Sequence, residues 1–252
     1  MVSFKLSTTR AMAVHVATSS DGIPDSYEGV LFANELLDAM PVHQLVMRGD
    51  GLREMYVDRS DDRFVLLEGE PSTPRLARYF GDLGIELQEG WRAEVSLAAV
   101  DWVRAALARM RRGFAILFDY GHPAHELYSV THSTGTLTSY AAHRAEGAEA
   151  PPSGDAWLRD PGAQDLTAHV DFTSIRRAAE SEGCVTLGYL DQTYFLMALA
   201  ANRLDRLSHK DRLGLKTLIM PGGLGSTMKV LVLGKGVDRP TLTGCPANAR
   251  VT

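Results

Sequence analysis

Two runs of consecutive apolar residues, 29–33 and 114–118, limit what this chain can become more than any other feature. A half-exposed strand alternates apolar and polar residues. An unbroken run needs cover on both faces, as in a parallel sheet flanked by helices. Each run ends on polar residues that include an acid: Asn34 and Glu35 after the first, Asp119, Tyr120 and Gly121 after the second. The second run is entered from a helix. Ser96 is placed to cap that helix, Leu97, Val100, Val103, Ala106, Leu107 and Met110 recur at helical spacing, and Gly113 is expected to stop it. Helix, glycine, buried strand and polar turn form half of a doubly wound α/β unit.

Other segments surround this unit. Between residues 44 and 70, short β-rich runs are separated by turn residues at Gly49–Gly51 and Asp58–Asp62, the pattern of an antiparallel meander. Residues 122–164 are polar and rich in His, Gly, Ala and Pro, and read as a long functional loop. Asp171 is placed to cap a helix closed by Gly183; a strand is expected over 184–190, a helix over 193–207, and a closing strand over 228–233.

Composition narrows the function. Apolar residues make up 45% of the 252, enough for a sizeable core. A net charge of −5 argues against a general nucleic-acid binder, which needs a basic stripe to neutralise phosphates. The two cysteines, Cys184 and Cys245, form no CxxC pair, which suits a reducing compartment and offers no thiolate metal site. No apolar run is long enough to span a membrane.

In an open parallel sheet, ligands sit outside the carboxyl ends of the strands. If the two apolar runs are neighbours, Glu35 and Asp119 share one crevice. A carboxylate pair there can act as acid and base, hold a metal, clamp a guanidinium, or simply start the next turn. Asp38 and Pro41 read as turn formers. Asp165, Thr167, His169 and Asp171 crowd the approach to the next helix, where capping accounts for some of them and His169 stays available as a base or substrate contact. His122 and His125–Glu126 fit neither zincin order and are read as loop, so no metal ligand is expected. The glycines at 222, 223 and 225 precede the final strand and read as a tight turn rather than a phosphate cradle.

Residues 34–44 (Asn-Glu-Leu-Leu-Asp-Ala-Met-Pro-Val-His-Gln), 117–122 (Leu-Phe-Asp-Tyr-Gly-His) and 160–172, which holds Gln-Asp-Leu-Thr-Ala-His-Val-Asp-Phe, resemble three signature blocks of one family. That family is the MidA-like S-adenosylmethionine-dependent methyltransferases, which includes the mitochondrial complex I assembly arginine methyltransferase. The resemblance implies a class I, Rossmann-like α/β fold: a mostly parallel sheet, an antiparallel last strand and an inserted β meander. It makes the strand ending at Ala33 the fourth and the strand ending at Phe118 the fifth, which are neighbours in that fold.

It also implies S-adenosylmethionine as cofactor, with Asn34 against it, and a protein substrate methylated on arginine. Glu35, Asp119 and His169 become the catalytic candidates, and Tyr120, Asp165 and Thr167 the substrate-binding ones. A bacterial cytoplasm is the expected location, with the mitochondrial matrix as alternative. A non-catalytic assembly protein that retains the back half of the fold is the rival reading.

The resemblance divides the chain into a non-matching leader (1–23), the C-terminal part of a methyltransferase domain (24–236, with the β-rich insertion at 44–95 and the loop at 122–164) and a tail (237–252). The family's first three strands and Gly-rich cofactor loop should precede residue 24. They are expected to lie outside this sequence, the alternatives being supply by another chain or loss in a member that no longer methylates. A fourth strand without those neighbours exposes an apolar edge, so self-association is expected.

Overall fold

The computed structural model describes residues 22–141, 144–147, 156–201, 203–220, 222–238 and 240–246, with no side-chain placement over 141–156. The leader to residue 21, the last residues of the tail and part of the 122–164 loop lie outside these. In chain order the first half runs β1 (Tyr27–Asn34), β2 (His43–Arg48), β3 (Gly51–Ser60), β4 (Arg63–Gly69), α1 (Pro74–Leu83), β5 (Arg92–Val95), α2 (Leu97–Arg109) and β6 (Met110–His122). Then come α3 (Ala124–Leu127), β7 (Thr138–Ala141), β8 (Arg144–Gly147), β9 (Asp165–Thr167), β10 (Val170–Asp171) and α4 (Phe172–Ser181). The chain closes with β11 (Val185–Asp191), α5 (Gln192–Ala200), α6 (His209–Ile219), α7 (Leu224–Thr227) and β12 (Met228–Lys235).

The central sheet has the order β1-β6-β12-β11, with β10 added at the end of β6. β1 and β10 run parallel to β6, whereas β12 is antiparallel to both β6 and β11. Four strands therefore share one direction and β12 alone is reversed, the mostly parallel sheet with an antiparallel last strand that was expected. Strand alternation supplies both faces of the core. Ala115 and Leu117 of β6 and Leu231 and Leu233 of β12 pack with α2 and α4. Phe118, Val230 and Val232 pack instead with Leu187, Leu190 and Phe195.

β6 corrects two expectations. The helix before it ends at Arg109, and Met110 already belongs to the strand, so Gly113 lies inside β6 and does not stop the helix. Its role is close approach: Gly113 stands opposite Gly29 in the register, and a Cβ on it would overlap the Gly29 carbonyl oxygen. The strand also runs on to His122, so Asp119 and Tyr120 are in-strand residues rather than a turn. Pairing with β12 holds Asp119 and Tyr120, and pairing with β10 carries the strand over Gly121 and His122.

β1 departs from expectation too. Val30 is 61% and Phe32 45% exposed, because β6 is its only strand partner among the described residues and one of its faces lacks cover. The meander is borne out as an antiparallel sheet, order β4-β3-β2-β5, closed on its own core of Leu45, Leu76, Phe80, Val95 and Tyr128. The stretch read as a loop at 122–164 instead carries α3, a 3-10 turn at Val130–His132 and two strands, β7 and β8, of a small sheet that β9 completes just beyond it. The helix expected over 193–207 stops at Ala200, and a separate 3-10 turn follows at Leu204–Arg206.

Candidate active site

The site is built where β1 and β6 end side by side. Asn34 pairs with Phe118 in the register, and the Glu35 N–H donates to the Phe118 carbonyl at 2.9 Å, carrying the pairing one residue further. The backbone then turns sharply. Glu35 has φ +48°, a left-handed conformation uncommon for a residue with a side chain, shared here only with the turn residues Asp61 and Asp160 among the described residues. What imposes it is Asp119. Its Oδ2 accepts from the N–H groups of Leu36 (3.2 Å) and Leu37 (2.8 Å), and its Oδ1 accepts from the Tyr120 N–H at 3.0 Å.

The two carboxylates expected to face one crevice are thus different in kind. Glu35 is exposed, and its Oε1 accepts from the Asn34 amide at 3.1 Å. Asp119 is only 1% exposed, and its Oδ2 is committed to the backbone of the loop that carries Glu35. Asp38, read from sequence as a turn former, is itself buried, at 5% exposure, beside Asp119. Burial first, and then the Asp38 charge, push the Asp119 carboxyl up to about 7. Burial and the Glu35 charge likewise raise Asp38. Like charges this close and this dry hold a proton near neutrality.

Tyr120 follows on β6, and its hydroxyl is pushed up to about 12, by burial first and then by Glu35, Tyr140, Asp38 and Asp119. Four groups from three segments therefore act on one phenol, which stays protonated at neutral pH. Asp165 and Thr167 lie on β9, opposite Tyr140 and Thr138 of β7, and Asp165 is exposed. Thr167 is thereby a strand residue, and Asp171 alone caps α4, accepting from the N–H groups of Thr173 and Ser174.

His169 is anchored through its backbone. Its N–H donates to Thr136 Oγ1 at 3.1 Å, while the preceding Ala168 N–H donates to the Asp38 carbonyl. Its ring lies 5.3 Å from that of His122 and 5.9 Å from that of His132, centroid to centroid. Burial, and then those two rings, lower it to about 4, so it is neutral at physiological pH. His122, read as loop, ends β6, and His125–Glu126 belong to α3. Asp38, Tyr140 and the His122–His132–His169 grouping are what the sequence reading missed. The acids of the Glu35–Asp38 block give a signal at turn spacing, but histidines spread from 122 to 169 match no ligand spacing.

A β1-β6-β12-β11 sheet with a reversed β12, and acids at the carboxyl ends of β1 and β6, are the features of a Rossmann-like methyltransferase fold. The profile of the family described as "Putative S-adenosyl-L-methionine-dependent methyltransferase" matches residues 9–190, and the chain belongs to that family. S-adenosylmethionine is the cofactor this membership brings.

A solved chain from Burkholderia thailandensis, bound to S-adenosyl-homocysteine, is 33% identical with a TM-score of 0.79, over 89% of this chain and 58% of that one. The mitochondrial protein arginine methyltransferase NDUFAF7 homologue of Caenorhabditis elegans is 28% identical over 242 residues, 91% of this chain and 52% of that protein. Its Drosophila melanogaster counterpart is 27% identical, over 86% of this chain and 49% of that protein. The chain thus spans about half the length of the curated relatives it matches.

Proposed function

We propose that this chain is part of a methyltransferase that transfers a methyl group from S-adenosylmethionine to an arginine of a protein substrate. The observation that carries this reading is Glu35: an exposed carboxylate in a strained backbone conformation, fixed by two hydrogen bonds to the buried Asp119. Strain of that kind persists where the surroundings over-determine it, and it concentrates at functional sites.

A carboxylate pre-set in one orientation suits a guanidinium, because paired hydrogen bonds fix the plane and leave one nitrogen to be aimed. Glu35, Asp38 and Asp119 make the pocket electronegative, which favours a cationic substrate. Tyr120, protonated at neutral pH, is placed to donate a hydrogen bond beside Glu35. Asp119 is a positioning residue in this scheme, since it acts through the 35–37 backbone. Asp165 and Thr167, opposite β7, form the outer wall that a substrate chain would cross.

The residues fit the cofactor on its substrate side. Asn34 stands exposed at the carboxyl end of β1, where ligands of such sheets bind, and it would hold part of S-adenosylmethionine. When bound, that group supplies an electrophilic methyl carbon on a sulfonium. The protein's part is to orient the guanidinium nitrogen, exclude water and accept the proton the nitrogen sheds. Relatives named as arginine methyltransferases support the acceptor, and the family resemblance of the sequence blocks extends the reading to assembly of respiratory complex I. A bacterial neighbour suits a bacterial cytoplasm; the mitochondrial relatives make the matrix the alternative.

Calorimetric titration of S-adenosylmethionine, paired with transfer of labelled methyl to arginine-containing protein, tests the reading. Glu35→Gln should lower transfer about 100-fold, the loss of one charge-assisted pair, while cofactor affinity is unchanged. Unaltered transfer by that variant overturns the role of Glu35. A folded chain that binds no S-adenosylmethionine supports the non-catalytic assembly role.

A further inference from the structure

Beside the site, but outside the methyl-transfer scheme, three histidines from three separate segments converge. His122 ends β6, His132 closes the 3-10 turn at Val130–His132, and His169 lies between β9 and β10. One ring nitrogen of each lies within 4.8 Å of the other two. All three are half-buried, so the cluster is neither sealed in the core nor free in solvent.

The outer contacts decide what the inner nitrogens can do. His132 Nδ1 is 3.1 Å from the Glu126 carbonyl oxygen, which can only accept, so that nitrogen carries the hydrogen. His122 Nδ1 is 2.8 Å from the Glu126 carboxylate. Glu126 thus bonds the Nδ1 of His132 through its carbonyl and brings its carboxylate within ion-pair distance of the buried His122 Nδ1, which has no hydrogen-bond partner, and both Nε2 lone pairs stay available. Carboxylate or carbonyl on the far nitrogen is the outer arrangement that metal-bound histidines show. His169 is anchored through its backbone by Thr136, and its buried Nδ1 has no hydrogen-bond partner. A buried ring nitrogen without a partner calls for one.

We propose that His122, His132 and His169 bind one divalent transition-metal ion, with Glu126 as the outer partner of two of them. Three imidazoles select borderline ions such as Zn²⁺, Co²⁺ or Ni²⁺ over Mg²⁺ or Ca²⁺, which take oxygen. Zinc–nitrogen bonds of about 2.1 Å set tetrahedral ligands about 3.4 Å apart, so the rings must close by roughly 1.4 Å. Rotation of three side chains on short connecting segments achieves that. Three protein ligands and a partly open side leave a fourth position for water or a substrate atom. The ion would also tie the 130–132 turn and the approach to β10 onto the end of β6.

The test is titration of ZnCl₂ into tag-free, chelator-treated protein by calorimetry, with the Co²⁺ complex followed by visible absorption. One equivalent should bind at about micromolar affinity or better, with the intense bands of tetrahedral cobalt. His132→Ala, on a surface turn, should weaken binding at least tenfold, and Glu126→Gln about 10–100-fold, the usual cost of losing an outer partner. His125→Ala, one residue from Glu126 but outside the cluster, should bind as the wild type does. Sub-stoichiometric binding, weak octahedral cobalt bands in the wild type, or His132→Ala binding as tightly as the wild type would each overturn the proposal. None of these readouts depends on methyl transfer, so failure here leaves the proposed activity untouched.

Discussion

Asp119 and Glu35 show how one side chain sets the geometry of another. The buried acid uses its Oδ2 to hold Leu36 and Leu37, and that grip forces Glu35 to φ +48°. Asp119→Ala strands those two N–H groups and should cost about 1–3 kcal/mol for each that stays buried, read by denaturant unfolding. Glu35→Gly relieves the left-handed strain and should raise stability by about 1 kcal/mol while lowering methyl transfer, a trade-off that a melt and an activity assay would expose together.

The Asp38–Asp119 pair also gives stability a pH dependence of definite sign. Its folded carboxyl is raised to about 7, so between about pH 4 and 7 the native state holds a proton that the unfolded chain has lost. That contribution makes stability fall as pH rises. His169, lowered to about 4, contributes with the opposite sign over a similar range. The difference between wild type and Asp38→Asn isolates the pair. The variant should lose less stability from pH 5 to pH 8 than the wild type, by thermal melting at both.

At the scale of elements, β6 organises the molecule. It pairs with β1, β10 and β12, and its two glycines stand where other backbone comes closest. A Cβ at Gly113 would overlap the Gly29 carbonyl, and one at Gly121 the Val170 carbonyl. Gly113→Ala should therefore separate β1 from β6 and unsettle the Glu35 loop, seen as loss of amide-exchange protection in residues 27–34. Ser96 makes a milder case. Its Oγ accepts from the Ala99 N–H at the start of α2 and donates to the Pro41 carbonyl, so Ser96→Ala should cost about 1 kcal/mol.

At the scale of the whole molecule, β1 is the exposed flank. Among the described residues it has a strand partner on one side only, and Val30 and Phe32 stand open. Unpaired strand edges with apolar side chains recruit further strands. We expect concentration-dependent self-association by sedimentation velocity, and Val30→Lys with Phe32→Lys should abolish it. A chain that sediments as a monomer at high concentration would show that this flank is covered in solution.

The sequence by itself determined the layered α/β class, the meander and the caps at Ser96 and Asp171, because periodicity and capping are local properties of neighbouring residues; the reversed last strand was implied only by the family resemblance. The motif blocks around Asn34–Asp38, Asp119 and His169 likewise named the residues of the candidate site. Only the tertiary structure decided what each acid does. Burial separated the exposed Glu35 from the enclosed Asp119 and turned Asp38 from a turn residue into its charge partner. It alone brought His122, His132 and His169 together, since convergence of segments ten and thirty-seven residues apart depends on the packing of β6, α3 and β10 and leaves no spacing to read.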